Sequence, residues 1–78
     1  MTTDSFLLSF EISKDGNELD IHCDDNGLEK LLSLLSLLKG KAQHEHLMTP
    51  SWGGGYELSE EPQSEGSQLL HKVTIHKW

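Results

Sequence analysis

The run Gly27-Leu28-Glu29-Lys30-Leu31-Leu32-Ser33-Leu34-Leu35-Ser36-Leu37-Leu38-Lys39-Gly40 decides the fold class. At 100° per residue, Leu28, Leu31, Leu32, Leu35 and Leu38 fall on one stripe of a helix. Leu34 and Leu37 widen that stripe past half the circumference, leaving Glu29, Lys30, Ser33 and Ser36 as the polar remainder. The spacing predicts a helix over about 27–39. Asn26 and Glu29 have the spacing of a capping box at its start. Gly40 is placed to end it, with Lys39 and Lys41 near the negative end of its dipole. The 11 residues from Leu28 to Leu38 are too few to span a bilayer, which takes about 20. A stripe this wide needs more cover than one sheet face supplies. The expected cover is the following strand and loop; the alternative is an apolar patch left for a partner.

Working outward toward the N-terminus, Phe6, Leu8, Phe10 and Ile12 alternate with Leu7, Ser9 and Glu11. Period two predicts a half-buried strand with Glu11 on the solvent side. Lys14-Asp15-Gly16-Asn17 then reads as a hairpin turn, because glycine accepts positive φ without a Cβ clash. The return strand spans 18–23, with Leu19, Ile21 and Cys23 on the inner face and Glu18, Asp20 and His22 outside. On this parity Cys23 is expected to act as a small buried hydrophobe.

Beyond the helix, 44–49 predicts a third strand that Pro50 ends. Trp52 follows in a glycine loop through Gly55. Residues 56–59 suggest a short strand, 60–67 an acidic loop, and 70–77 a last strand with Val73 and Ile75 inward. The whole, residues 1–78, is one α+β domain. A mostly antiparallel sheet of four to five strands carries one helix on one face, in the order β-β-α-β-(β)-β. A chain of 78 residues buries only roughly 60% of its unfolded surface, so the core is thin.

Charge narrows the function. Thirteen acidic residues face six lysines and no arginine, for a formal net charge of −7. Nucleic-acid binding needs a Lys/Arg surface, and this chain argues against it. An acidic chain is drawn instead to basic partners. One cysteine offers no internal disulfide, and no basic, apolar leader opens the sequence, so the expected compartment is the cytoplasm, with no membrane partner.

No catalytic set assembles from the residues. Cys23 has the wrong parity, Ser51 has no base that the sequence positions, and Gly53-Gly54-Gly55 lacks the lysine and helix of a phosphate loop. His44 and His46 share a strand face and invite a metal, with His71 as a third ligand. Two histidines without a fixed third are more simply a polar strand face, since a closed zinc site takes four ligands. The expectation is no cofactor. Trp52 either pins its loop to the core or anchors a partner, as interface aromatics do. Glu57, Glu60 and Glu61 supply negative charge beside it, and His44 and His46 supply hydrogen-bond donors. Leu34 and Leu37 are available for a homodimer.

The block His46-Leu47-Met48-Thr49-Pro50-Ser51-Trp52-Gly53-Gly54 resembles the immunity protein 32 family of bacterial polymorphic toxin systems. So do Glu57-Leu58-Ser59-Glu60-Glu61, Gln63, and Leu70-His71-Lys72-Val73-Thr74-Ile75; Ser64 departs from the glycine expected there. The resemblance is tight over the second half of the chain and a matter of pattern over the first. It implies an antidote, not an enzyme: a protein that binds a cognate toxin and blocks it without covalent chemistry.

Overall fold

The computed structural model describes residues 5–40, 43–53 and 56–78. Seven elements follow in chain order: β1 (Leu8–Ile12), β2 (Leu19–Cys23), α1 (Asp25–Leu37), β3 (His44–Met48), α2 (Pro50–Gly53), β4 (Gln68–Leu69) and β5 (Lys72–His76). They form two antiparallel sheets, β2-β1-β4 and β3-β5, with a helix: a small α+β domain. The expected short strand over 56–59 is not one. The expected last strand over 70–77 is β5, with Val73 and Ile75 packed against the core, and the short β4 that pairs with β1 just before it is not foreseen by the spacing.

β1 is the centre of the molecule. Its pairing with β2 sets Leu8 opposite Cys23 and Phe10 opposite Ile21. The turn between them closes through Ser13 N–H to the Glu18 carbonyl (2.9 Å), with Gly16 at φ +77° as its Asp-Gly sequence requires. The Asp15 carboxylate accepts from the Ser13 hydroxyl (2.6 Å) and the Asn17 amide (3.0 Å). The Ser13 bond, then the Asn17 bond, hold its carboxyl below the usual range.

Two crossing points tie the sheets together. The Leu58 amide donates to the Met48 carbonyl (3.2 Å), and the next amide, Ser59, donates to the Leu8 carbonyl (2.7 Å). Likewise Leu70 N–H reaches the Phe10 carbonyl (2.9 Å) while the His71 carbonyl accepts from Thr49 N–H (2.9 Å). Leu8, Phe10, Leu47 and Leu58 form the buried core, with Phe6, Leu31, Leu34, Leu70, Val73 and Ile75 packed around it.

The helix departs from its sequence reading at both ends. Asp24, not Asn26, is the N-cap, accepting from Gly27 N–H at 2.7 Å. The same carboxylate accepts from Leu7 N–H at 3.0 Å, while Asp24 N–H donates to the Leu7 carbonyl at 3.1 Å. These bonds to the Leu7 and Gly27 amides hold the Asp24 carboxyl below its ordinary value. The helix start is so close to β1 that a Cβ on Gly27 would stand 1.7 Å from the Leu7 carbonyl oxygen. At the other end Leu38 closes the helix in a right-handed conformation, and Gly40 is not a positive-φ cap.

The expected faces are corrected in three places. Ser9 and Glu11 are buried, not solvent-facing. Leu19, Ile21 and Cys23 are exposed, not packed. Leu28, Leu32, Leu35 and Leu37 are exposed too; of the two leucines that widen the stripe, Leu34 packs against a core that includes Leu47 and Leu58 from later in the chain, while Leu37 does not, and Leu31 and Leu38 complete the packing. A helix is about 10 Å across and strands lie about 4.8 Å apart, so one helix shelters about two strands. Here α1 touches β1, β2 and β3, yet the β2 side chains on that face stay exposed. Leu34 thus belongs to the core, and of the pair assigned to a dimer only Leu37 stands in solvent.

Candidate acidic binding site

The site grows from the polar face of β1. Glu11 sits within a strand buried on both faces, and its carboxylate meets three donors. Ser9 Oγ donates at 2.7 Å, Gln63 N–H at 2.7 Å and Ser64 N–H at 3.0 Å. His22, on the adjoining strand, turns Nε2 toward Ser64 Oγ at 3.0 Å. Burial alone would raise the Glu11 carboxyl. The Gln63 amide, the Ser9 hydroxyl, the Ser64 amide and the nearby His22 charge together outweigh it and leave it lowered. The carboxylate is therefore ionised at neutral pH and clamps the loop that passes over it. Glu11 is fully buried, and the three donors around it are what keep its charge there.

That clamp fixes the acidic loop. Ser59 holds its other end: Ser59 Oγ accepts from Leu8 N–H (2.9 Å) and donates to the Phe6 carbonyl (3.3 Å). Between these anchors Glu60 and Glu61 are exposed. They line an open groove of about 660 Å³ with Phe6, Lys30, Pro50 and Tyr56. Lys30 lies over the Phe6 ring, its Nζ 4.7 Å from the centroid, and gives the groove one positive wall.

Trp52 lies on α2, where a short helical turn replaces the expected glycine loop. Its amide donates to the Thr49 carbonyl (3.1 Å), and proline suits the first helical position. The indole is 57% exposed, so it does not plug the core. It stacks at 6.0 Å on His71, whose Nδ1 is 2.8 Å from the buried Thr49 hydroxyl. Gly54 and Gly55 lie outside the described residues.

The remaining expected residues divide. Glu57 is not a free surface charge: its carboxylate accepts from Met48 N–H at 3.0 Å and braces the end of β3. His44 and His46 lie on the outer face of β3–β5, their rings 4.9 Å apart, with His76 5.9 Å from His44. His46 Nδ1 is 3.1 Å from Thr74 Oγ1. His71 is held instead by Thr49 and Trp52. Among the described residues no group of three or more His, Cys, Asp or Glu is arranged to hold a metal ion, so His44, His46 and His71 do not form the alternative metal set. Glu60 and Glu61 therefore share one groove with Tyr56 and Pro50, the first residue of α2, while Trp52, two residues on, stacks on His71 and the His44–His46 pair lies on the outer face of β3–β5.

Tyr56, at 69% exposed, is a groove residue that the sequence reading placed in a strand. Glu11, the residue that fixes the loop, falls on the solvent side by alternation; the groups that bury it come from residues 63 and 64, so no local signal marks it. No helix of the described residues is long and apolar enough to cross a membrane. No family model matches the chain, and no curated protein or solved structure matches it either.

Proposed function

We propose that this chain is an immunity protein that binds a cognate bacterial toxin in the cytoplasm and neutralises it by occlusion. The partner surface is cationic, as on a nuclease that must hold phosphate. Glu60 and Glu61 compete there with phosphate for the same positive charge, and Trp52 and Tyr56 supply apolar anchors at the rim. The reading is one of binding, with no bond made or broken.

One observation supports this most: a buried carboxylate is spent on holding a loop whose outward residues are two exposed glutamates. Fixing a charged loop in advance lowers the entropy lost on association. The net charge of −7 and the lack of arginine point the same way, as does the resemblance of residues 46–54 to immunity proteins.

The test is protection of cells that express the toxin encoded beside this chain's gene. Trp52→Ala combined with Glu60→Lys and Glu61→Lys should abolish protection while the circular dichroism spectrum stays that of wild type. Full protection by a folded triple variant would remove this surface from consideration.

A further inference from the structure

The edge strand β2 carries an unused surface of unusual consistency. Among the described residues it pairs on one side only, with β1. The hairpin bonds fix which of its peptide groups are used. Ser13 N–H donates to the Glu18 carbonyl and Asp24 N–H to the Leu7 carbonyl, and the register places 18, 20, 22 and 24 in the hydrogen-bonded positions. In an antiparallel pair such positions alternate. The N–H and C=O groups of Leu19, Ile21 and Cys23 therefore point away from β1, along the open edge. These same three residues bear exposed side chains, with Leu19 54% and Ile21 49% exposed. Natural edge strands are usually blunted by charged side chains, proline, a bulge or shortness; five-residue β2 has no lysine, proline or bulge, and Asp20 is its one acidic side chain.

The helix extends the patch. Lys30, on one flank of α1, lies over Phe6 and lines the groove with Leu58 and Ser59, which lie across β1 from β2. Leu28, Leu32 and Leu35 occupy the opposite flank of α1, the β2 side, and all three are exposed. The apolar face of β2 and this leucine row thus adjoin.

We infer that β2 is a dimer seam, occupied by β2 of a second copy in antiparallel, two-fold pairing centred on Ile21. Only this centre uses all three outward residues: Ile21 pairs with Ile21 and Leu19 with Cys23, each pair exchanging both main-chain bonds. Charge selects it as well. On the opposite face it sets Asp20 across from His22 of the second copy, whose Nδ1 is left free by the Ser64 contact at Nε2. Slipping the centre to residue 20 would set Asp20 against Asp20. Slipping it to residue 22 would set His22 against His22 and Asp20 against Asp24. The interface is isologous, so it closes at two chains instead of growing. It makes one continuous six-stranded sheet with the two α1 helices side by side on one face. The seam lies away from the acidic groove, so it does not depend on the proposed function.

Two measurements decide the matter on the purified chain alone. Sedimentation equilibrium should give twice the chain mass in the micromolar range, and Ile21→Lys should return it to one chain mass with an unchanged circular dichroism spectrum. Leu19→Cys should form a covalent dimer rapidly under mild oxidant. Cα atoms in such a pair lie about 5.5 Å apart, within disulfide reach. Within one chain positions 19 and 23 are about 13 Å apart, which is out of reach. Wild type, with Cys23 alone, should not cross-link, because the two copies of Cys23 are equally far apart. A wild-type chain that sediments at one chain mass throughout, including one that captures another protein's strand, overturns the inference. So does a Leu19→Cys variant that cross-links no faster than wild type.

Discussion

Replacing Glu11 with glutamine probes the device on which the proposed site rests. The substitution keeps the side chain's shape and removes its charge. The carboxylate oxygens accept from Ser9 Oγ, Gln63 N–H and Ser64 N–H at 2.7, 2.7 and 3.0 Å. Glutamine offers only one acceptor oxygen. Its amide nitrogen would face at least one of the two backbone N–H groups, donor against donor. Hydrogen bonds to a charged acceptor contribute about 1.5–3 kcal/mol and neutral ones about 0.5–1.5 kcal/mol. One lost bond and two weakened ones therefore amount to about 3.5–6 kcal/mol, and rearrangement of the loop around the amide brings the expected loss toward the lower end, about 3 kcal/mol. Urea unfolding at pH 7 measures it, with the slope unchanged and the midpoint lowered. The pH dependence makes the test specific. The Glu11 carboxyl is lowered in the folded chain from its ordinary value of 4.5. Its contribution is thus complete above that value and is lost as pH falls through the folded-state value. The gap between wild type and variant should close there, once Glu11 is protonated. A loss below about 0.5 kcal/mol at pH 7, the size of an ordinary surface substitution, or a gap that persists in acid, would refute the clamp.

Two further outcomes are expected. Gly27→Ala should destabilise, although alanine is the better helix former, because its Cβ would meet the Leu7 carbonyl oxygen at 1.7 Å. Overpacking of this kind costs about 1–3 kcal/mol, a fall of roughly 5–20 °C in thermal midpoint for a domain this small; a rise in midpoint would contradict the close approach. Wild-type stability should also fall on acidification below the ordinary carboxylate range, because Glu11, Asp15 and Asp24 are all lowered in the folded chain. Each stabilises above its unfolded value and ceases to as pH falls through its folded one, so urea midpoints that rise between pH 5 and pH 3 would contradict the hydrogen bonds at these carboxylates.

Local periodicity carried much of the fold. The alternation of Leu8 and Phe10, the Asp15-Gly16 turn and the leucine helix all stand where spacing placed them, since each depends on neighbours within a few residues. What spacing could not supply was cover arriving from far along the chain. Glu11 is buried by Gln63 and Ser64, more than 50 residues away in sequence, so nothing near it distinguishes it from a solvent-side glutamate. β2 has the parity of a packed strand and touches α1, but the helix is too narrow to cover the whole sheet face, and Leu19, Ile21 and Cys23 are left in solvent. The site was legible in the same measure. The exposure of Glu60 and Glu61 follows from composition, the two readings of Trp52 are separated only by the structure, and Glu57 is turned inward by the Met48 amide. Tyr56 joins the groove only because the chain from 56 to 59 runs alongside the start of β1.

Calorimetric titration of this chain into the toxin domain, at low and at raised salt, bears most directly on the proposed function. Charge-led recognition predicts tight association that weakens as salt rises, and that Glu60→Lys with Glu61→Lys weakens at least about tenfold at low salt. Affinity indifferent both to salt and to reversal of those two charges would contradict it.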